Sequence, residues 1–173
     1  MRLFIQCPTG ISGDMFLAAM ADLGLDIAPL EDIFRAAGID ARVYTQRERH
    51  QGLMGSRLVI ASESEQPMRH LSDLQEIIDN CPVSLDVQSR SKNALQKLAR
   101  AEAKVHGVGL EEVHFHEIGA VDTLVDVLGA FWALEQMGVD EVTCCSLPWF
   151  GGYVDCEHGR LSLPAPATLQ FLQ

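Results

Sequence analysis

Apolar positions along this chain change their period repeatedly, and each change marks an element. Leu3, Phe4 and Ile5 form a short apolar run ended by Cys7-Pro8-Thr9-Gly10, which predicts a buried strand over Arg2 to Gln6. Met15, Leu17, Ala18, Met20 and Leu23 then recur at helical spacing, so a helix is expected from Gly13-Asp14 to a C-cap at Gly24. Pro29 suits the first turn of a second helix, with Leu30, Ile33 and Phe34 on one side and Gly38 closing it. Residues Ala41 to Glu48 and Ser56 to Ser62 read as two strands of a hairpin, joined by a loop holding Gly52 and Gly55.

Leu71, Leu74, Ile77 and Ile78 predict a helix from Leu71 to Asn80, stopped by Pro82. A long polar helix follows from Ser84 to His106, with Leu95, Leu98 and Val105 on its apolar side. The helix expected over Gly119 to Met137 is apolar almost all round, which predicts a central, buried position. Asp140 to Leu147 reads as a strand, Pro148 to Gly152 as a turn, and short strands follow around Tyr153-Val154 and Leu161-Ser162-Leu163. Pro164 to Leu169 opens a helix only about two turns long, which is marginal unless it docks. This order of elements predicts an α/β or α+β fold, with a small mixed β-sheet flanked by helices. Residues 1–173 are expected to form a single domain, and the abrupt stop within that last helix suggests the N-terminal part of a longer protein.

Composition narrows the function classes. A formal charge of −11 argues against a nucleic-acid partner, which needs clustered Lys and Arg, and is favourable toward cations. No apolar run approaches the roughly 18 residues of a membrane span, and no signal peptide is recognisable. The five cysteines include no C-x-x-C pair, so reduced thiols in a cytoplasm are expected. Adjacent Cys144 and Cys145 lie in a strand-like run and are expected to be buried thiols rather than metal ligands.

The candidate chemistry concentrates in His114-Phe115-His116-Glu117-Ile118-Gly119-Ala120-Val121-Asp122-Thr123-Leu124-Val125-Asp126. In an extended segment His114 and His116 project to one side, and in a helix Asp122 stacks on Asp126. A bend at Gly119 would aim imidazoles and carboxylates at one place, a donor mixture suited to nickel, zinc or ferrous iron. Without a metal, the same residues make a polar loop before a buried helix, with Glu117 and Asp122 serving its dipole. Thr9-Gly10-Ile11-Ser12-Gly13-Asp14 reads either as a cradle for phosphate or carboxylate or as a tight turn capped by Ser12 or Asp14. It is neither a Walker A loop nor a dinucleotide fingerprint. Cys156-Glu157-His158-Gly159-Arg160 suits a hairpin turn, in which His158 is a further ligand or acid/base candidate.

Three segments in register carry a resemblance: Cys-Pro-Thr-Gly-Ile-Ser-Gly-Asp-Met near the start, the central His-Phe-His-Glu-Ile-Gly-Ala-Val-Asp-Thr, and the terminal His-Gly-Arg-Leu-Ser-Leu-Pro-Ala-Pro-Ala-Thr. Together they resemble the LarC family of nickel insertion proteins over essentially the whole chain. The resemblance implies insertion of Ni(II) into pyridinium-3,5-bisthiocarboxylic acid mononucleotide, with one carbon–nickel and two sulfur–nickel bonds formed. It also implies dependence on CTP with magnesium or manganese, bound by a C-terminal domain or separate C-terminal polypeptide. Two departures stand out: Gln6 replaces an acidic residue that usually ends the first strand, and residues 104–113 hold only His106 where the family is often His-rich.

The resulting expectation is a nickel- and substrate-binding module with His114, His116, Glu117 and Asp122 as metal ligands. Thr9, Gly10, Ser12 and Gly13 would receive the substrate's phosphate or carboxylate, and Asp14, Glu117 or His158 would act as general base. Two alternatives use the same residues: a non-catalytic nickel chaperone, and a metal-dependent nucleotide hydrolase. A homo-oligomer is compatible with each.

Overall fold

The computed structural model describes residues 1–62, 69–113, 121–156 and 159–172. Within them the chain runs β1 (Arg2–Ile5), α1 (Gly13–Asp22), α2 (Pro29–Ala36), β2 (Arg42–His50), β3 (Leu53–Ala61), α3 (Leu71–Asn80) and α4 (Leu85–His106). After a 3₁₀ turn at Leu110–Glu112 come α5 (Val121–Gln136), β4 (Glu141–Cys144), β5 (Tyr153–Cys156), β6 (Gly159–Ser162) and α6 (Pro166–Phe171). The mixed α/β class expected from the sequence is borne out.

The helices follow from local chemistry. Pro29 occupies the first turn of α2, whose Leu30, Ile33 and Phe34 are buried. The Ser84 hydroxyl caps α4 by accepting from the Val87 N–H at 3.2 Å, and Gly107 ends that helix in the left-handed region at φ 67°. The apolar stripe of α4, through Val87, Ser91, Leu95 and Ala99, is buried at four-residue spacing. Ser91 satisfies its hydroxyl there by donating to the Val87 carbonyl at 2.7 Å.

Helix α5 is central, as its composition predicts. Val121, Leu124, Val125, Leu128, Gly129, Trp132 and Ala133 are all buried, and α1 and α4 pack against it. The approach of α1 is close at two glycines. A Cβ on Gly129 would meet Leu17 Cδ1 at 3.0 Å, and a Cβ on Gly13 would meet Asp126 Cβ at 2.3 Å.

The described strands form three two-stranded pairs. β1 and β4 run parallel, with Arg2 opposite Glu141 and Ile5 opposite Cys144. β2 and β3 form a hairpin in which Arg42 faces Ala61 and His50 faces Leu53. Its turn is tighter than expected, because Gln51 and Gly52 both take positive φ (48° and 88°) and Gly55 pairs within β3 opposite Glu48. The hairpin is tied to the end of α1 by Asp22, which accepts from Arg47 Nη1 at 2.9 Å and from Ser56 Oγ at 2.6 Å. β5 and β6 form the second hairpin.

The expected burial of the adjacent cysteines is corrected: Cys144 is exposed and Cys145 half-buried. Parallel sheets are ordinarily covered on both faces. Here Val142, two residues before Cys144 on the same face of β4, is exposed as well, so that end of the strand has no covering layer among the described residues. No helix among those residues is long and apolar enough to cross a membrane.

Candidate functional site

The start of α1, the start of α5 and the β2–β3 hairpin enclose a cleft of about 620 Å³. Asp14, Gln46, Arg57, Leu58, Val59, Ile60, Asp122 and Asp126 line it. Each wall contributes a different kind of group. The first turns of α1 and α5 supply carboxylates, and the hairpin supplies the cross-strand pair Gln46 and Arg57 above an apolar floor.

Asp126 is the most perturbed group in the cleft. Its carboxyl pKa is pushed up to about 6, first by burial and then by the neighbouring charges of Asp14 and Asp122. Its Oδ1 is buried without a hydrogen-bond partner among the described residues. Asp14 differs: its Oδ1 accepts from the Ser12 hydroxyl and from the Met15 N–H, the latter at 2.8 Å. Asp122, one helical turn before Asp126, is exposed and accepts from the Thr123 N–H at 2.7 Å. Arg57 reaches Glu48 at 3.6 Å, a loose exposed ion pair that leaves the guanidinium at the cleft wall.

Of the residues singled out from the sequence, Asp14 and Asp122 are brought together here. Thr9, Gly10, Ser12 and Gly13 precede the cleft-lining Asp14 without lining the cleft themselves. Both glycines of that loop have packing reasons. Gly10 takes φ 94°, donates its N–H to the Cys7 carbonyl at 3.1 Å, and a Cβ on it would meet the Phe150 ring at 3.1 Å. Gly13 lies directly on Asp126. Ser12 occupies the N-cap position of α1, but its hydroxyl turns to Asp14 instead of capping the backbone. His114, His116, Glu117 and His158 lie outside the described residues.

Sequence reasoning stacked Asp126 on Asp122 yet gave it no role, and it missed Arg57 and Gln46. The signal for Asp126 was a carboxylate on the otherwise apolar inner face of a buried helix. No comparable signal marks Arg57, which is one polar residue just before an apolar run. Among the described residues no three His, Cys, Asp or Glu side chains are grouped so as to hold a metal ion.

Comparison with known proteins agrees with the motifs. Residues 3–173 match the family described as nickel insertion protein. A putative nickel insertion protein of Geotalea daltonii is 38% identical over 99% of this chain and 45% of its own length. One from Desulfotalea psychrophila is 42% identical over 98% of this chain and 44% of its own. The pyridinium-3,5-bisthiocarboxylic acid mononucleotide nickel insertion protein of Staphylococcus epidermidis is 36% identical over 99% of this chain and 44% of its own. The chain thus spans a little under half the length of these relatives, and no solved structure matches it. With the match running through nearly every residue, this chain belongs to the nickel insertion protein family.

Proposed function

We propose that this chain is the metal- and substrate-handling part of a nickel insertase. Its substrates are Ni(II) and the pyridinium bisthiocarboxylate mononucleotide named for the Staphylococcus relative. The observation that carries this reading is Asp126, a partly buried carboxylate on a cleft wall with one unpartnered oxygen and a pKa near 6. Forming a carbon–nickel bond requires the pyridinium carbon to lose its proton as the metal takes its place. A carboxyl group titrating just below neutrality is matched to accept that proton and to release it afterwards. Asp14 is less suited to the role, because one of its oxygens is already committed to Ser12 and Met15. Its fixed negative charge instead contributes to raising Asp126. Glu117 and His158 are the remaining proton acceptors in this reading.

Nickel, as substrate, would be held by His114, His116 and Glu117 with Asp122 completing the set. Imidazoles give the site the borderline character that three carboxylates lack. Arg57, with Gln46 beside it, suits the substrate's phosphate, since a guanidinium offers two parallel donors to such an anion. Thr9, Gly10 and Ser12 are the candidates for a second anion contact at the start of α1, Gly13 being taken up by Asp126. CTP with magnesium or manganese belongs to the part of the longer relatives that this chain does not span, as a C-terminal domain or a separate polypeptide.

The test combines the chain with precursor, nickel chloride, magnesium, CTP and the C-terminal half of a relative, and follows nickel-cofactor formation by mass spectrometry. Product is expected only when both polypeptides are present. Asp126→Asn should slow formation by about 10²- to 10⁴-fold, the usual contribution of a general base. Calorimetry should show the histidine-dependent nickel-binding event retained in Asp126→Asn and lost in the His114→Ala, His116→Ala double variant. Unchanged turnover in Asp126→Asn would overturn the base assignment, and product from this chain alone would overturn the division of labour. Nickel binding with no product under any combination would leave a delivery module as the function.

A further inference from the structure

The carboxylate cleft leaves two sulfurs unused. Cys7 follows β1 and Cys145 follows β4, so the parallel register that sets Ile5 opposite Cys144 carries both chains onward side by side. The Cys145 N–H donates to the Ile5 carbonyl at 3.0 Å, and the Cys7 N–H donates to Cys145 Sγ at 3.2 Å. The two sulfurs stand 3.8 Å apart. Cys7 is 4% exposed, whereas Cys145 is half-buried, so the pair has one closed side and one open side.

We propose that Cys7 and Cys145 form a two-thiolate site for a soft or borderline divalent cation, Ni(II) foremost, with its remaining coordination positions open to sulfur-bearing ligands. Zinc–sulfur bonds of about 2.3 Å in tetrahedral arrangement set their sulfurs about 3.8 Å apart, so the pair needs little movement to take a tetrahedral ion, whereas a square-planar nickel would draw the sulfurs closer. The separation is far above the roughly 2.05 Å of a disulfide, and both thiols are free. The Cys7 backbone N–H already contacts Cys145 Sγ, the kind of outer contact that commonly orients a metal ligand. The turn that brings the Gly10 N–H onto the Cys7 carbonyl holds this ligand's backbone in place. Thiolates discriminate against magnesium and calcium, which the carboxylate cleft alone would not. Binding releases two thiol protons to solvent and changes no oxidation state. The choice of nickel rests on the function proposed above; the dithiolate geometry does not.

The test uses the 173-residue chain, kept reduced with a phosphine and free of oxygen, and titrated with nickel chloride. A sulfur-to-nickel charge-transfer band should grow to saturation, at one equivalent in the His114→Ala, His116→Ala double variant, whose histidine site no longer competes for the metal. It should disappear in Cys145→Ser, whose half-buried position makes it the safer variant for folding. Cys7→Ser should behave alike, with circular dichroism reporting that the fold persists. Cys144→Ser, altering the exposed neighbour on the opposite face of the strand, should retain the band, as should Asp126→Asn. Absence of the band, its persistence in Cys145→Ser, or an equal loss in Cys144→Ser would overturn the proposal. If the band is absent while insertion still depends on Asp126, the dithiolate site falls and the proposed function stands. If the band appears but no combination yields cofactor, the proposed function falls alone.

Discussion

Helices α1 and α5 meet closely at two places, and the two contacts are chemically opposite. At one, Gly129 admits the Leu17 and Leu30 side chains, both fully buried, and every group involved is apolar. At the other, Gly13 admits Asp126, a carboxylate with an unpartnered buried oxygen beside two like charges. The first contact is what a core requires, since close packing of aliphatic groups stabilises without leaving polar atoms unsatisfied. The second destabilises, because burial of a carboxylate near other carboxylates is unfavourable in its charged form. One helix pair therefore carries both a stabilising end and a strained polar end, and the strain is concentrated where the cleft opens. Such juxtapositions are characteristic of sites whose pKa values are set for proton transfer.

The largest effect is expected where the polar contact is broken by bulk. In Gly13→Val the new Cβ would sit 2.3 Å from Asp126 Cβ, an atom fixed to the backbone of a buried helix. No rotamer change relieves that overlap, so the start of α1 must move away from α5. Overpacking of this kind costs about 1–3 kcal/mol and sometimes more. Urea denaturation should show a loss at the upper end of that range. The same movement opens the cleft, so the surviving folded protein should also lose the elevated Asp126 pKa. A variant of unchanged stability would show that the close contact is not maintained in solution, and the comparison would fail at its polar end.

How much of this was legible beforehand differs between the two ends for the same reason. The apolar end was written in periodicity: Leu17 and Met20 on α1, and Leu124 and Leu128 on α5, recur at helical spacing and are all buried. Periodicity identifies an inward face without requiring knowledge of the partner. The polar end depended on which residue of another element lies opposite, and that information is long-range. Gly13 read as a place for a ligand to approach, whereas the group that approaches it is Asp126. Asp126 was visible as the i+4 neighbour of Asp122, but its burial by α1 was not. Arg57 and Gln46 come to the cleft only because the hairpin docks along α1 through Asp22 and Arg47, 25 residues apart. The exposure of Cys144 was missed because a strand's pattern does not say which of its faces lacks a covering layer.

A smaller effect, with a definite sign, is expected from removing the strained charge itself. The Asp126 carboxyl titrates at about 6 in the folded protein against an ordinary 3.8, so the folded state holds this proton more tightly than the unfolded one. The group therefore favours folding most below about pH 3.8. That advantage is lost as the pH rises to about 6, and above this the full penalty of the buried charge remains. Asp126→Asn keeps the shape and removes the charge. It should melt at a higher temperature than the parent at pH 7.5, with the advantage shrinking toward zero near pH 4. A difference between the two proteins that does not change with pH would mean that Asp126 is not penalised by burial, and the contrast between the two helix contacts would lose its electrostatic half.

The smallest effect is expected at the apolar contact, where two opposing terms nearly balance. Gly129→Ala replaces glycine in the interior of α5, and alanine is favoured there by about 1 kcal/mol through backbone entropy alone. Against this, the added Cβ would stand 3.0 Å from Leu17 Cδ1 and 3.4 Å from both Leu17 Cδ2 and Leu30 Cδ1. Those atoms are the ends of flexible side chains, so a shift of a few tenths of an ångström suffices. Leu17 and Leu30 are both fully buried, so their room to shift is limited and the packing cost offsets the propensity gain. The net change in unfolding free energy should fall within about 1 kcal/mol of zero. The pH dependence of stability should match the parent's, since no titrating group is touched. Comparing Gly129→Ala with Gly13→Val in the same urea and pH series measures the two ends of one helix contact separately. A Gly129→Ala protein whose pH profile shifts like that of Gly13→Val would show that the contacts move as one rigid unit, and the division into a stabilising and a functional end would not hold.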